Sequence, residues 1–596
     1  MSRHSAVLAL IGGLSLANAA CLPQQPGTGG SGGKRDSGGS SSSQNSSSGG
    51  KGGGTTSHGG STTGSSSTTG SGGSTTGSSS TTGSGGSTTG SSSTTSSGGS
   101  GGSMTGSGGR SVGGTSGSGG SKTGSSSTAS SGGTTGSGST SGNGGASGSS
   151  GGSAGRTGAT ASCTFDINSV TASAIPTVGV VTWGTTLSSP ASAHIDFGLD
   201  TNYGMTAPVS KPAASGNKTL LLGMKQKKTY HYRIVASNGS GDCSSDDKTI
   251  TTGSLATGLP TIKVANKGDG KPLFGGFLIT AQFQGSSSGK APAIIYDGDG
   301  DIVWAFSVNT VSDGLSCARM SYDGTHMWIN TVNVGAAMMG GGSGMGSAVV
   351  HRLAMDGTDD QDLSSKFTGQ NHQLTILPDE TVAYYGYNAN GCDDIKEYSP
   401  SGTTKTIVNS GTAQGGASAC HVNNIQYATD DTLLFSDLDN QVVVKVNRKD
   451  GSTVWMLNGG KSPLSGVTWK GSEHGIYVMD PNQILIFNNN STSLMGGFGS
   501  SGGTGDGSKV LQLKIDPTAK TVSSVWSYKG PSNLQTDIMG DIQRLPNGNT
   551  IIGYSTKGAV QEVDKDGNVL TDWTFPLGAQ FGYIEKRATL YGPPPR

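Results

Sequence analysis

The chain has 596 residues, of which 106 are glycine, with 31% hydrophobic and 13% charged residues. Its 38 basic residues balance its 38 acidic ones, so no charge excess argues for nucleic acid or an anionic membrane surface as partner. Such a composition does not describe one uniform globule, and the glycine is concentrated early.

Residues 1–21 read as an export signal. Arg3 and His4 precede an apolar run from Ala6 to Leu16, too short to span a bilayer, and Ala17-Asn18-Ala19 offers a small-residue cleavage site. Cys21 leaves two readings open. Cleavage just before it, with lipid on the cysteine, makes a membrane-attached lipoprotein, although Asn18 stands where a lipobox usually has Leu. Cleavage without lipid makes a soluble exported protein. In either case the expected location is the periplasm or the cell surface. No other stretch is long and apolar enough to be a transmembrane helix.

Residues 22–161 are Gly, Ser and Thr with almost nothing to bury. GSTTGSSSTTGSG at 60–72 repeats at 73–85 with a period of thirteen. Such a segment cannot offset its ordering entropy by burial, so a disordered tether is expected. As a random coil it would reach roughly 65 Å.

Residues 162–253 read as a small β-sandwich, with short strand-like runs at 178–185, 192–198, 218–223, 229–237 and 248–252. Trp183 sits where a sandwich buries an aromatic, and Tyr230, Tyr232 and Ile234 alternate onto one face. Cys163 and Cys243 lie near its two ends, and an exported protein permits a disulfide between them. The stretch resembles a fibronectin type III domain in W-G-T (183–185), in D-F-G-L-D-T-N-Y-G and in T-Y-H-Y-R-I-V-A. It is expected to be a spacer or adhesive module.

Residues 254–596 repeat. The copies of one unit are AIIYDGDGDIVW (293–304), VVHRLAMDGTDD (349–360), IKEYSPSGTTKTIV (395–408), VVVKVNRKDGSTVW (442–455), VLQLKIDPTAKTVSSVW (510–526) and VQEVDKDGNVLTDW (560–573). Their starts are 56, 46, 47, 68 and 50 residues apart. Between them lies a second hairpin pattern, so two hairpins and about fifty residues make one repeat. The fold class expected is all-β: a six-bladed β-propeller after the sandwich and the tether. The run at 581–591 is expected to pair with the first blade and close the ring.

Three copies of the second hairpin begin with a histidine: NHQLTILPDETVAYY (371–385), CHVNNIQYATDDTLLFS (420–436) and EHGIYVMDPNQILIF (473–487). The equivalent slot reads Cys317, His372, His421, His474 and Asp541 along the chain. In a propeller the loop entering each innermost strand opens beside the axis, so His372, His421 and His474 are expected to converge on one site. His326 and His351 fall within strands, away from the slot.

At this point the C-terminal region resembles the bacterial arylsulfotransferase family, periplasmic enzymes that move sulfate between phenols without a nucleotide donor. The resemblance covers most of 260–596. It rests on H-V-N-N-I (421–425), the run from Leu433 to Gly460 ending in T-V-W-M-L-N-G-G, the E-H and I-F-N-N segment (473–489), G-D-I-Q-R-L-P-N-G-N-T (540–550) and the terminal Y-I-E-K-R-A-T-L-Y. It implies that His474 is the nucleophile of a ping-pong reaction and becomes a sulfohistidine. It implies too that His372 and His421 flank the sulfuryl group with Asn423 beside them, that an aryl sulfate and a phenol are the substrates, and that no cofactor takes part.

These residue types suit that chemistry. A sulfuryl group in flight spreads negative charge over its oxygens, much as a phosphoryl group does. Fixed imidazole and amide N–H groups stabilise that charge without reorganising. A neutral imidazole is nucleophilic near pH 7 and leaves readily once sulfated, and His372 is suited to shuttling the phenol proton.

The chain departs from the family at one position. Where the family has S-x-R, this chain has Ser436-Asp437-Leu438, so Leu438 replaces a cation; Lys470 and Arg587 are candidate substitutes. Cys317, Cys392 and Cys420 leave one pair and one free thiol, with Cys392–Cys420 preferred because it clamps the loop carrying His421. Two other readings stay open. One is a three-histidine metal site, since three histidines with an open position suit zinc; the other is a non-catalytic surface module for binding or adhesion.

Overall fold

A computed structural model describes residues 163–268, 270–282, 290–309, 314–333, 348–386, 388, 391–458, 462–469, 473–490, 507–576 and 581–595. The export signal with Cys21, the 22–161 tether and Lys470 lie outside the described residues. Among the described residues, no helix is long and apolar enough to cross a membrane.

Two antiparallel sheets form from residues 165–251. The first orders Phe165–Thr171, Gly179–Thr185 and Asn217–Leu221; the second joins Met205–Pro208, Ser192–Gly198, Thr229–Ser237, Asp242–Ser244 and Lys248–Thr251. Alternate residues along Thr229–Ser237 are buried, the period-two pattern of a strand with one face on a core. Val181, Trp183 and Leu221 from one sheet meet Ile195, Phe197, Tyr230, Tyr232 and Ile234 from the other in a single core. Cys163 is bonded to Cys243.

Six further sheets follow in chain order, antiparallel except where Ser465–Gly466 runs parallel to Thr521–Lys529. Their leading strands are Phe581–Arg587, Gly314–Met320, Gln370–Ile376, Val422–Ala428, Glu473–Asp480 and Asp541–Arg544. Each leading strand touches the next, and the last touches the first, so the six strands surround one axis. The second strands Val382–Gly386 and Thr432–Asp437 are buried at every residue. Neighbouring sheets cover both of their faces, which is why these strands read as continuous apolar runs and lack alternation.

The ring is closed from both ends of this region. Phe581–Arg587 pairs with Phe277–Gln282, with Ile279 opposite Glu585, the pairing expected for this run. Lys263–Asn266 pairs with Val569–Thr574, with Val264 opposite Trp573, and becomes the outer strand of the sixth sheet. Tyr591, just past the closing strand, ties this region to the first: its hydroxyl donates to Leu220 O at 2.9 Å and accepts from Leu222 N at 2.8 Å.

Candidate active site

The histidine slot is a loop, as expected, at His421 but not at His372 or His474. His372 lies within Gln370–Ile376 and His474 within Glu473–Asp480, while His421 directly precedes Val422–Ala428. Each lies beside an irregularity in the pairing of its leading strand, between Gln370 and Leu374, between Val422 and Asn424, and between Glu473 and Gly475. A β-bulge re-aims a side chain without ending the strand. At His372 the backbone is left-handed, φ 46°, a conformation a non-glycine residue adopts only when its surroundings hold it. Cys317 and Asp541 sit in regular pairing opposite Asn330 and Gly553, so the five positions are not structurally equivalent.

The bulges bring the three histidines together. The ring of His372 is centred 5.4 Å from that of His421 and 6.3 Å from that of His474. All three are buried, at 4%, 5% and 3% exposure, so no bulk water screens them. Burial, and then the neighbouring histidines, hold the His372 imidazole well below its ordinary protonation range. Burial pushes His474 down to about 4, against a smaller opposing effect from its hydrogen bond to Asn489. All three rings thus form a dry cluster in which His372 and His474 are neutral at pH 7.

Asparagines fix the backbone here. Asn330 Nδ2 donates to His372 O at 2.9 Å, and Asn424 Nδ2 donates to His474 O at 3.2 Å. Asn423 is fully buried and its Nδ2 donates to Glu473 O at 3.0 Å, leaving its second N–H for another acceptor. Each bond runs from one sheet to the next. Asn489 Oδ1 lies 2.7 Å from His474 Nδ1. Sequence reasoning did not single out Asn489, although I-F-N-N ends on it.

Glu473 was also missed. It is fully buried, with Trp469 Nε1 donating to Oε2 at 3.2 Å, and burial raises its carboxyl well above the usual range. It is therefore a neutral acid beside His474. Gly475 allows the close packing that follows: a Cβ there would stand 3.0 Å from Asp541 Cα.

The family resemblance implies a cation at position 438. Leu438 is buried, and its N–H donates to His421 O at 2.8 Å. Arg587 is committed elsewhere, to Glu585 Oε1 at 2.7 Å, Gly592 O at 2.8 Å and the carbonyls of Met320 and Ser321. Arg319 donates to Asp541 Oδ2 at 2.8 Å and lies over the Tyr583 ring at 5.9 Å. Tyr583 in turn donates to Asn423 O at 2.7 Å. The flanking carboxyls are Asp437, bonded by Gln414 and Asn440, and Asp393, which burial pushes up to about 7.

Cys392 is bonded to Cys420 beside His421. Cys317 is a buried free thiol that burial pushes up to about 12, too high for a nucleophile. A metal does not fit the histidines as they stand. Among the described residues, the one group of three ligating side chains gathered within 4.8 Å is Asp297, Asp299 and Asp301. Lys225 Nζ already lies within 3.2 Å of all three of them.

Solved structures match the chain at low similarity. TolB from Acinetobacter baumannii is 12% identical over 61% of this chain and 80% of its own, with a TM-score of 0.34. A streptogramin B lyase is 13% identical over 55% and 98%, with a TM-score of 0.33. Virginiamycin B lyase from Staphylococcus aureus is 12% identical over 52% and 88%, with a TM-score of 0.31. No curated protein matches the chain in sequence. Residues 392–575, which carry His421, His474, Asn423 and Asn489, match the family model for arylsulfotransferase (ASST).

Proposed function

We propose that this chain is an exported aryl-sulfate sulfotransferase. In this reading residues 254–596 are a six-bladed β-propeller, 162–253 a fibronectin type III-like module, and 22–161 a tether behind the export signal. The family match at 392–575 supports the activity class. The ring of six sheets supports the propeller, and the shared core of two antiparallel sheets supports the sandwich.

The observation that carries the mechanism is the meeting of three buried histidines around His372. An aryl sulfate entering this site brings one negative charge, which raises the proton affinity of His372, so a proton is taken up with the donor. His474 then forms a nitrogen–sulfur bond while the sulfur–oxygen bond to the aryl group breaks. The electron pair leaves on the aryl oxygen, which takes the proton from His372. A phenol acceptor reverses each step: it gives its proton to His372, bonds to sulfur, and returns the pair to the His474 nitrogen. His421 and the second N–H of Asn423 stabilise the sulfuryl oxygens.

Leu438 favours a second reading, a propeller that binds a surface ligand without turnover, because a buried leucine stands where the resemblance implies a cation. Incubation with p-nitrophenyl sulfate and phenol separates the two. The enzyme reading requires p-nitrophenol release with phenyl sulfate formed, and a sulfuryl group on His474 when phenol is omitted. Absence of both sinks it and leaves the binding module.

A further inference from the structure

We infer that Asn489 is a positioning residue that holds His474 in a single tautomer, with the proton on Nδ1 and the lone pair on Nε2. This inference deepens the sulfotransferase reading and names the bond-forming atom of that reaction.

The argument starts from the amide. Asn489 has no exposed surface, and its Nδ2 donates to two backbone carbonyls, Thr536 O at 2.8 Å and Met539 O at 2.7 Å. A carbonyl oxygen can only accept, so both N–H groups of the amide are used. A flipped amide would set its own oxygen against two carbonyl oxygens in a buried site, which is costly. Oδ1 is therefore the atom facing His474 Nδ1 at 2.7 Å. An amide oxygen cannot donate either, so the proton between them belongs to Nδ1.

The segment behind Asn489 is built to keep it there. Met539 is buried and left-handed, φ 59°, so a strained residue presents one of the two accepting carbonyls. The Thr536 hydroxyl donates to Ile538 O at 2.7 Å, and Thr536 N–H donates to Ser508 Oγ at 3.1 Å. Gly540 follows at φ 118°, where a Cβ would fall 2.1 Å from Phe487 Cε1. The segment cannot drift away from the strand that leads into Asn489.

The consequence is chemical. A free histidine side chain in water favours the proton on Nε2, the form whose outer nitrogen has no in-plane lone pair. Fixing the proton on Nδ1 exposes the Nε2 pair, and sulfation there leaves an N-sulfoimidazolium whose Nδ1–H bond to Asn489 strengthens as the ring gains positive charge. The departing aryl oxygen carries away the sulfur–oxygen electron pair, and return of the sulfuryl group restores the neutral ring.

The test is nitrogen NMR of the full chain labelled with 15N-histidine. The His474 signals, identified as those missing from His474→Gln, should show Nδ1 protonated and Nε2 bare. Asn489→Ala should mix the tautomers and lower kcat on the order of 100-fold with little change in KM. Asn489→Asp, protonated in this buried site, keeps an acceptor oxygen toward Nδ1 and one donor for the Thr536 and Met539 carbonyls, so it should keep the tautomer. Protonated Nε2 in the native chain, or an unchanged tautomer in Asn489→Ala, overturns the inference. If Asn489→Ala does not fold, the native spectrum and Asn489→Asp still decide. A native chain with the expected tautomer but no labelling by p-nitrophenyl sulfate defeats the sulfotransferase reading and leaves the role of Asn489 standing.

Discussion

The side chain of Asn424 in the fourth leading strand donates to the backbone carbonyl of His474 in the fifth, at 3.2 Å and out of contact with water. This bond crosses the boundary between two sheets and fixes the irregular pairing from which His474 projects. Replacing Asn424 with Ala strands a buried carbonyl, which costs about 1–3 kcal/mol. A urea titration should show that loss, and transfer should fall further than the loss of folded protein explains. Unchanged stability with unchanged transfer would show that the bond positions nothing.

Acid should spare the chemistry while weakening the fold. With His474 pushed down to about 4 by burial, its ring remains unprotonated well below the ordinary histidine value of 6.5, as the proposed nucleophile requires. Sulfuryl labelling should persist as pH falls through about 6.5 and decline only near 4. Over that window the unfolded chain binds protons that the folded His474 and His372 refuse, so stability falls as pH falls from 6.5 toward 4. Labelling against pH and urea midpoints against pH check the two halves. A labelling midpoint near 6.5 would refute the desolvated site.

Glu473 works in the other direction. Burial keeps its carboxyl protonated, so a neutral amide of the same shape should substitute with little loss. Glu473→Gln should stay within about 1 kcal/mol of the native chain and lose the pH dependence that the acid contributes. In the unfolded chain that acid ionises above about 4.5, so its contribution to stability declines as pH rises past that value. A large loss in Glu473→Gln at neutral pH would mean that the carboxylate, not the acid, is the native form.

The histidine set and the repeat were legible because both are local patterns. Apolar runs, turns rich in Asp and Gly, and a histidine at a recurring position all fall within about twenty residues of one another. The pieces that escaped depend on partners far along the chain. Lys263–Asn266 is four residues long with only Val264 partly buried, and its partner strand is Val569–Thr574. The bulges escaped for another reason. His372 takes a left-handed backbone that glycine or asparagine would have signalled, and only the bond from Asn330 and the packing reveal it. Asn489 was quoted as part of a motif, but its role depends on Thr536 and Met539, which lie in the next sheet's entry segment. Arg587 looked available in the sequence because its acceptors are mostly backbone carbonyls, which no side-chain motif displays.

If a sulfate lies against position 438, as the resemblance implies, a cation placed there should raise activity and lower stability. Leu438 is buried beside His421 with Asp437 adjacent in sequence, so Leu438→Arg places a guanidinium where the family carries one and near carboxyls that can pair with it. Turnover of p-nitrophenyl sulfate should rise about tenfold or more, while burial of an imperfectly paired charge lowers stability by a few kcal/mol, roughly 3–5 if unpaired. Initial rates and thermal unfolding of the same preparation measure both. A folded Leu438→Arg chain with no gain would mean that the sulfate does not lie against this part of the fourth sheet.

The Cys392–Cys420 bond should matter more to His421 than to the rest of the fold. The two cysteines are 28 residues apart, and closing a loop of that size stabilises by about 3–4 kcal/mol in the chain-entropy view. Its local effect is sharper, because Cys420 directly precedes His421 and Asp393, next to Cys392, accepts from Val422 N at 3.3 Å. Both neighbours of His421 are thus tied to the third sheet. In Cys392→Ser/Cys420→Ser, the hydrogen-exchange protection of 420–424 should fall well before that of 473–480. Turnover should fall more than the formation of labelled His474, since His474 is held by Asn424 and Asn489 rather than by this bond. Equal loss of protection in both segments would mean that the disulfide holds the ring as a whole and has no particular hold on His421.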